Sequence, residues 1–431
     1  MQKIIINNFG PIKFAEIEVK QFTIVIGEQA SGKTFLSKLV YFFNKIPNKL
    51  IDFIYFTSLP KLSDEDFKEK IRRDFKLLFD SVIRNKQNFI VECIYETELN
   101  IKIQFESNEI EVIAEFKYFT KVSADTIKHR SRYPLTNGWE PKFVRKLYGL
   151  FKDKVKEFNP YGPYRETYIP ASRAFLNMFP KDIKLDMIRK LPDDYFLDFI
   201  RRVENVKNEF IINGGDFKSF IEEKHKPIGT YLLNLIRQIL KADYSISENG
   251  EKLGFNKNKS VTIENASSGQ QESLRVLQDL FILYVEKESG FRVIEEPEAH
   301  LFPTAQKRLI EFISVIGNIT DSSFFISTHS PYILSVFNNL LFAKGVENEF
   351  GDSFYEKFGD LEKSTLPIRE SWINPDNFIA YSLKARENCK LIFDKKTGMI
   401  DENFLDDVSL EIADEFNIMF NIYKELTTNN E

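Results

Sequence analysis

An eight-residue segment near the start of the chain, GEQASGKT at residues 27–34, fits the pattern G-x-x-x-x-G-K-[ST] in full. The apolar run before it, Phe22–Ile26, predicts a buried strand, and the run after it, Phe35–Val40, predicts a helix. A phosphate-binding loop needs this strand–loop–helix context, because backbone N–H groups and the helix N-terminus must face the phosphates. The segment therefore predicts an α/β chain that binds a nucleotide.

The residue types of this loop have separate chemical tasks. Lys33 is expected to reach the β- and γ-phosphates, and the Thr34 hydroxyl is expected to bind Mg²⁺. The predicted phosphate-binding residues are Gly27, Glu28, Gln29, Ala30, Ser31, Gly32, Lys33 and Thr34. The alternative is a chance glycine-rich turn, which ordinary residue frequencies give on the order of one time in a hundred for a chain of this length.

A short apolar strand at residues 291–294 is followed by two adjacent carboxylates, Glu295 and Glu296. Their spacing favours a division of tasks. Glu295 would face the Mg²⁺ held by Thr34, and Glu296 would face the attacking water as a general base. Such a base typically contributes about 10²–10⁴-fold in rate. The alternative is a strand that ends in two solvated acids.

Two further segments carry features of an anion site. Residues 266–273, ASSGQQES, precede an apolar helix, and a Ser-Ser-Gly turn at a helix N-terminus can bind an anion. An ordinary serine N-cap is the alternative.

Residues 324–334, FFISTHSPYIL, predict a strand that ends at His329 and a helix that begins at Pro331. A neutral histidine there can donate a hydrogen bond to a γ-phosphate, although a lone structural histidine fits the same pattern.

The order of these motifs resembles that of an ABC-type ATPase head, and it is similar to the OLD/RecF/SMC-like branch in particular. The matching segments are Gly27–Thr34 as Walker A, Ser267–Gln271 as the signature, Ile294–Glu296 as Walker B, Pro297–Leu301 as the D-loop region and His329 as the switch histidine. The segment Tyr168–Arg173, YIPASR, also resembles this branch. The signature reads SSGQQ where transporter heads have LSGGQ, and Walker B carries Glu295 where many members have Asp.

The resemblance implies an α/β fold, an ABC-ATPase head of the P-loop NTPase class with an antiparallel β subdomain and helical insertions. It implies ATP and Mg²⁺ as cofactors, Thr34 and Glu295 as metal-binding residues, and Glu296 and His329 as catalytic residues. Two such heads enclose two ATP molecules, so a homodimer or higher oligomer is expected. The signature of one copy then closes over the ATP of the other through Ser267, Ser268, Gly269 and Gln270.

The predicted ATPase core consists of residues 1–40 and 244–345. Residues 41–175 are predicted as an insertion with helices, antiparallel strands and a basic stretch, and 176–243 as a helical insertion. Residues 346–431 are predicted as an α-rich tail. The basic stretch, residues 121–156, has ten Lys or Arg against three Asp or Glu. It predicts either a nucleic-acid-binding surface or a solvated helix with one apolar face.

The amino-acid composition limits where the protein is expected to reside and which partners it is expected to bind. The net charge of −5 gives no global attraction to nucleic acid or to an anionic membrane, and no apolar run reaches the roughly 18 residues of a membrane-spanning helix. The N-terminal residues lack the pattern of a signal peptide. The two cysteines, Cys93 and Cys389, predict a reducing, cytoplasmic location and neither a disulfide framework nor a zinc site.

The sequence also indicates whether the chain carries a nuclease of its own. OLD proteins carry a Toprim nuclease after the switch histidine, but here no Asp-x-Asp pair follows Glu347, and no HNH-like cluster is visible. No intrinsic nuclease is therefore expected. The chain resembles the ATPase subunit of two-gene bacterial anti-phage systems of the Septu or PARIS type, with a separately encoded nuclease or toxin docked at Val408–Tyr423 or at residues 181–242. The alternatives are a RecF-like DNA-repair ATPase and an ATP switch with little turnover.

Overall fold

The computed structural model describes most of the chain in nine segments. They are residues 2–56, 63–95, 100–114, 166–173, 194–221, 226–248, 250–256, 259–351 and 367–400. The helices are α1 (Lys33–Phe56), α2 (Asp64–Leu78), α3 (Asp80–Arg84), α4 (Asp194–Ile212), α5 (Lys226–Leu240), α6 (Ser268–Glu286), α7 (Pro303–Thr320) and α8 (Pro331–Phe350).

The strands form four sheets. Their bounds are β1 (Gln2–Phe9), β2 (Ile12–Val19), β3 (Phe22–Ile26), β4 (Phe89–Ile94), β5 (Asn100–Glu106), β6 (Glu109–Ala114), β7 (Glu166–Ile169), β8 (Asp243–Ser247), β9 (Gly250–Asn256), β10 (Lys259–Thr262), β11 (Phe291–Glu295), β12 (Ser323–Thr328), β13 (Phe378–Ser382), β14 (Lys390–Leu391), β15 (Phe393–Asp394) and β16 (Met399–Ile400).

The central sheet has six strands in the order β14-β13-β3-β12-β11-β7. All neighbours pair in parallel except β14, which runs antiparallel to β13 at the edge. Strands β3, β11 and β12 are buried along their whole length, as parallel strands covered on both faces must be. The carboxyl ends of β3, β11 and β12 therefore meet at one edge of the sheet, which is where ligands bind in open α/β folds.

Two hydrophobic cores lie on opposite faces of this sheet. Phe22, Ile24 and Ile26 of β3 belong to the core with α4–α8, whereas Val25 belongs to the core with α1, α2 and the antiparallel sheet. This alternation follows from the two-residue period of a strand. The sheet therefore has helices on both faces, and the α/β P-loop fold predicted from the sequence is confirmed.

The antiparallel β subdomain is a five-stranded sheet in the order β2-β1-β4-β5-β6. The period-two pattern at residues 89–119 predicted three of these strands, and β1 pairs with β4 to bring the first two strands of the chain into the same sheet. A separate three-stranded sheet, β10-β9-β8, covers the side of α4 and α6. The five-stranded sheet contacts the central sheet through β2, which lies against β3 and β13.

Three strands of the central sheet, β7, β13 and the edge strand β14, lie outside the segments predicted as the core. β7, within 41–175, pairs with β11, and β13, within the tail 346–431, pairs with β3. The prediction of an α-rich tail is therefore corrected for residues 378–400, which hold β13 to β16. The physical reason is length, since a strand of four or five buried residues has no detectable period and cannot be told from a buried helical turn.

Several predicted features lie outside the described residues, namely the basic stretch 121–156 and the segment Val408–Tyr423. Of the helical insertion at 176–243, the structure describes α4 and α5. Among the helices of the described segments, none combines the length and the apolar character that crossing a membrane requires.

Candidate functional site

The loop at residues 27–34 connects β3 to α1 at the carboxyl edge of the central sheet. A Cβ atom on Gly27 would lie 2.3 Å from the carbonyl oxygen of Leu383, so the close packing of this loop against the residue after β13 requires glycine. Gly32 has φ +104°, which other residues rarely adopt. Sequence and backbone therefore agree on why both glycines stand at these positions.

Lys33 is buried at the centre of the loop. Its ammonium donates to the carbonyl oxygens of Gly27 at 2.8 Å and Glu28 at 2.7 Å, and its Nζ lies 3.4 Å from Nδ1 of His329. Burial lowers the pKa of Lys33 to about 8, although the nearby carboxylate of Glu296 acts in the opposite direction. A desolvated ammonium surrounded by carbonyl dipoles is ready to bind a phosphate.

Glu296 and His329 meet at the ends of two neighbouring strands. Nε2 of His329 lies 3.0 Å from Oε1 of Glu296. Because Nδ1 faces the Lys33 ammonium and must accept, we assign the ring proton to Nε2, which donates to Glu296. This hydrogen bond, together with the charge of Lys33, lowers the pKa of Glu296 against the effect of its partial burial. Lys33, His329 and Glu296 thus form one continuous chain of contacts.

Glu295 ends β11 and is buried. Burial raises its pKa, while the hydroxyl groups of Thr34 and Tyr168 lie beside the carboxyl group and lower it. Its Oε1 has no hydrogen-bond donor of good geometry among the described residues. A buried carboxylate oxygen with spare lone pairs beside a threonine hydroxyl suits Mg²⁺, which takes one or two carboxylates together with phosphate oxygens and water. Thr34 and Glu295 therefore fit the metal predicted from the sequence.

The signature segment forms the first turn of α6. Ser267 is the N-cap in a capping box with Gln270, so the ordinary capping role weighed from the sequence is present. Ser267 and Ser268 are exposed, whereas Gly269 is buried with its Cα against the carbonyl of His300, where a Cβ would lie 2.5 Å from the oxygen. The two serines are consequently accessible to a second molecule, and the glycine is needed for packing against the D-loop region.

Two buried residues at this site received no role from the sequence. Arg173 follows β7 and hydrogen bonds to the backbone of Glu295 and Glu296. Glu298 accepts hydrogen bonds from the Thr328 hydroxyl at 2.6 Å and from the backbone N–H of His329 at 2.7 Å, which fixes the end of β12. The sequence signal that could have identified these two residues is a charged side chain within or directly after an apolar segment. Such a side chain is buried only when it has polar partners.

The structure brings Lys33, Thr34, Glu295, Glu296 and His329 together at one edge of the sheet. The arrangement supplies an ammonium for phosphates, a hydroxyl and a carboxylate for Mg²⁺, and an ionised carboxylate that can accept a proton from water. Within the described segments, no group of three or more His, Cys, Asp or Glu side chains could hold a metal ion.

Comparison with known proteins was made for sequence families and for solved structures. A family model described as the AAA ATPase domain, AAA_15, matches residues 1–334. No curated protein gives a significant match.

Solved structures of SMC heads are distantly similar in fold. An SMC head bound to the C-terminal winged-helix domain of ScpA is 12% identical with a TM-score of 0.42, covering 90% of this chain and 96% of its own. The SMC head domain from Thermotoga maritima is 10% identical with a TM-score of 0.34, covering 78% and 90%. An Smc head with an extended coiled coil, bound to the C-terminal domain of ScpA from Pyrococcus furiosus, is 12% identical with a TM-score of 0.38, covering 97% and 100%.

Proposed function

The chain belongs to the AAA ATPase domain family, and we propose that it hydrolyses ATP as one half of an ATP-sandwich dimer. The observation that carries the proposal is the chain of contacts from Lys33 through His329 to Glu296. It joins the phosphate-binding lysine to an ionised carboxylate within a single site, which is what transfer of a phosphoryl group to water requires.

In the proposed mechanism, Lys33 exchanges the carbonyl oxygens of Gly27 and Glu28 for phosphate oxygens of ATP. Mg²⁺ held by Thr34 and Glu295 would neutralise charge on the β- and γ-phosphates. Glu296 accepts a proton from the attacking water, and His329 orients the Glu296 carboxylate through its Nε2–H. Lys33 and Glu295 are buried, and their desolvated surroundings strengthen the electrostatic contacts that these two side chains make.

The dimer follows from the exposed signature. Ser267 and Ser268 stand at the N-terminus of the 19-residue helix α6, whose positive dipole end and free N–H groups favour an anion. In the proposed dimer these groups contact the γ-phosphate bound by the partner subunit. Each ATP site is then complete only when two copies are paired.

The test is to measure the mass of Glu296→Gln in solution with and without ATP. The variant keeps the phosphate-binding loop but lacks the base, so it should accumulate as an ATP-bound dimer. Glu109→Gln, an exposed position on β6, serves as the matched control and should remain a monomer at steady state. A variant that binds ATP and stays monomeric at all concentrations would overturn the sandwich dimer.

We infer further that this ATPase controls a separately encoded nuclease or toxin in bacterial anti-phage defence. The support is the resemblance of the motifs to two-gene defence systems and the lack of an Asp-x-Asp pair after Glu347 in the sequence. Co-expression with the neighbouring gene should yield a stable complex, and neither gene should protect cells against phage by itself. Full protection by this gene expressed without a neighbour would contradict the idea.

A second candidate is a RecF-like DNA-binding ATPase, and the basic stretch at residues 121–156 favours it. If these residues bind duplex DNA, the binding should weaken steeply between low and moderate salt, because phosphate contacts release counterions. Substitution of Arg145 and Lys146 by Glu should weaken it as well. Binding that responds to neither change would remove this candidate.

A further inference from the structure

Arg173 is buried between the end of β11, which carries Glu295 and Glu296, and the signature helix α6. It lies four residues after the end of β7, and its side chain is fully buried. Its Nη1 donates to the carbonyl oxygens of Pro170 at 3.1 Å and Glu295 at 2.8 Å, and its Nη2 donates to that of Glu296 at 2.9 Å. Its Nε donates to the carbonyl oxygen of Glu272 at 3.1 Å.

These acceptors belong to two different parts of the site. Glu295 and Glu296 carry the metal-binding and general-base carboxylates at the end of β11, whereas Glu272 lies in the second turn of α6, just after the signature. The carboxylate of Glu272 also pairs with Nη2 of Arg173 at 3.6 Å. The planar guanidinium, with donors in a rigid fork, therefore joins the base-bearing segment to the signature helix.

The backbone of Glu296 shows why this position needs support. Its φ is +43°, in the left-handed region that residues other than glycine rarely adopt, at a cost on the order of 1–2 kcal/mol. Three hydrogen bonds hold the backbone of Glu296: its N–H donates to the carbonyl of Ser327 at 2.8 Å, and its carbonyl accepts from the N–H of Ala299 at 3.0 Å and from Arg173. The direction of the Glu296 side chain therefore depends on Arg173.

Helix α6 is tied to β11 at two further points. Asp279 accepts a hydrogen bond from Nε of Arg292 on β11 at 2.5 Å, with both side chains buried. Gly269 packs against the carbonyl of His300 in the segment after β11. With Arg173, these contacts make the signature helix and the base-bearing strand end a single unit, since packed interiors transmit small displacements.

We propose that Arg173 is a positioning residue that couples the two ATP sites of the dimer. The inference rests on the proposed sandwich dimer and adds a specific regulation to it. When the signature of one copy docks on the partner subunit's ATP, Arg173 carries the displacement of α6 to the Glu296 peptide of the same copy. Each site then becomes fully active only when the other holds ATP.

The test compares Arg173→Lys with Arg275→Lys. Arg275 is a matched control, because it is likewise a buried arginine that contacts the signature helix, on which it lies, and it pairs with Glu251 on β9 through Nη1 at 2.6 Å and Nη2 at 2.8 Å. Lysine keeps the charge but cannot reach four carbonyl oxygens in a fixed fork. Arg173→Lys should lower kcat by about 10- to 100-fold with little change in the KM for ATP. Coupling predicts a sigmoidal dependence of the wild-type rate on ATP, and Arg173→Lys should lose it.

Arg275→Lys should lower thermal stability to a similar degree while retaining kcat and the sigmoidal dependence. Equal kcat in the two variants would overturn the proposal, because Arg173 would then be only structural. The mass measurement on Glu296→Gln distinguishes this outcome from failure of the dimer itself. If that variant dimerises with ATP and Arg173→Lys still shows wild-type cooperativity, only the coupling is wrong.

A second experiment leaves Arg173 intact, in case Arg173→Lys does not fold. Wild-type protein is mixed with an excess of Lys33→Ala, whose copy lacks ATP but retains its own signature. In these mixed dimers the wild-type site is complete, yet its own signature has no ATP to dock on. Coupling predicts that each wild-type site loses most of its turnover, whereas an unchanged rate per wild-type site contradicts it.

Discussion

In the proposed ATPase cycle, Lys33 exchanges one set of acceptors for another. In the structure its ammonium donates to the carbonyls of Gly27 and Glu28. Charge-assisted hydrogen bonds to phosphate oxygens are stronger than those to neutral carbonyls. Phosphate therefore displaces the carbonyls, and the loop needs little rearrangement to accept it.

Lys33→Ala should abolish productive binding of ATP, because nothing else in the loop supplies a positive charge at the β/γ-phosphate position. Fluorescence titration with a labelled ATP analogue measures the effect. Lys76→Ala, an exposed position on α2, is the matched control and should bind ATP like the wild type. Tight binding by Lys33→Ala would mean that the phosphates lie elsewhere.

His329→Ala should slow hydrolysis by about 10²-fold or more while leaving ATP bound. The hydrogen bond from His329 is the largest cause of the lowered pKa of Glu296. Its loss raises that pKa toward the ordinary value, yet the carboxylate stays ionised at pH 7, so the lost rate comes from lost orientation. Single-turnover rates measured at pH 7 and pH 8 test this, since a defect of orientation is equal at both, whereas a defect of ionisation is smaller at pH 8.

The sequence was most informative about the individual residues of the candidate site. Lys33, Thr34, Glu295, Glu296 and His329 follow from spacing, because phosphate chemistry allows few residue types at each point of the loop and strand ends. Arg173 and Glu298 could not be assigned in this way. Their roles are hydrogen bonds to backbone groups that only the tertiary fold brings near, and any sequence could supply those backbone groups.

At the scale of helices and strands, the local sequence was sufficient to predict a helix that carries its own N-cap. Ser63 caps α2 by accepting from the N–H of Asp66, and Phe67, Ile71 and Phe75 are buried on one face, as their spacing predicts. β7 and β13 have no such signal. Both are short and are defined by their neighbours in the sheet, so their places could be known only once β3 and β11 were in position.

A buried ionic cluster connects four elements, namely β8, β9, α4 and α6. Glu251 on β9 accepts hydrogen bonds from Arg275 on α6 and from the Tyr244 hydroxyl, and it pairs with Lys207 on α4 at 2.9 Å. Burial disfavours its charged form, but Arg275 and Lys207 outweigh burial and hold the pKa of Glu251 well below its usual range. The cluster therefore depends on one ionised carboxylate between two cations.

Glu251→Gln should destabilise the protein at pH 7 by about 3–5 kcal/mol, because two buried cations lose their partner. The folded pKa lies below the unfolded one, so this stabilisation is present above the unfolded value and is lost as pH falls from about 5 toward the folded pKa. Urea unfolding at pH 7 and pH 4 should show a smaller difference from wild type at the lower pH. Glu106→Gln, at the exposed end of β5, should show no difference at either pH.

At the scale of the whole molecule, the trans arrangement of the proposed dimer predicts complementation. Ser268→Arg would place bulk and charge at the surface that closes over the partner subunit's ATP, so it should bind ATP but not hydrolyse it. Lys33→Ala has the opposite defect, an intact signature and an empty loop. A mixture of the two inactive variants should regain only a small fraction of the wild-type rate, because mixed dimers contain one complete site, but the copy that carries it cannot dock its own signature on an ATP of the partner subunit.

The matched control mixes Ser268→Arg with Glu296→Gln. Ser268→Arg supplies an intact base and an intact loop, and Glu296→Gln supplies an intact signature, so activity should return there too. A mixture of Lys33→Ala with Glu296→Gln has no complete site and should stay inactive. If Ser268→Arg hydrolyses ATP at the wild-type rate without a partner, the signature does not act in trans.

The position of β13 has a consequence for how the protein is made. β3, whose end carries the phosphate-binding loop, lies between β12 and β13, and β13 follows it by more than three hundred residues. During synthesis, the loop leaves the ribosome long before the strand and the Leu383 carbonyl that complete its surroundings. The nascent chain therefore exposes a hydrophobic strand edge until β13 has been made, and pairings this distant in sequence form slowly. The newly made chain is most vulnerable to aggregation in this interval, and the surroundings of its phosphate-binding loop are completed only after β13 has joined the sheet.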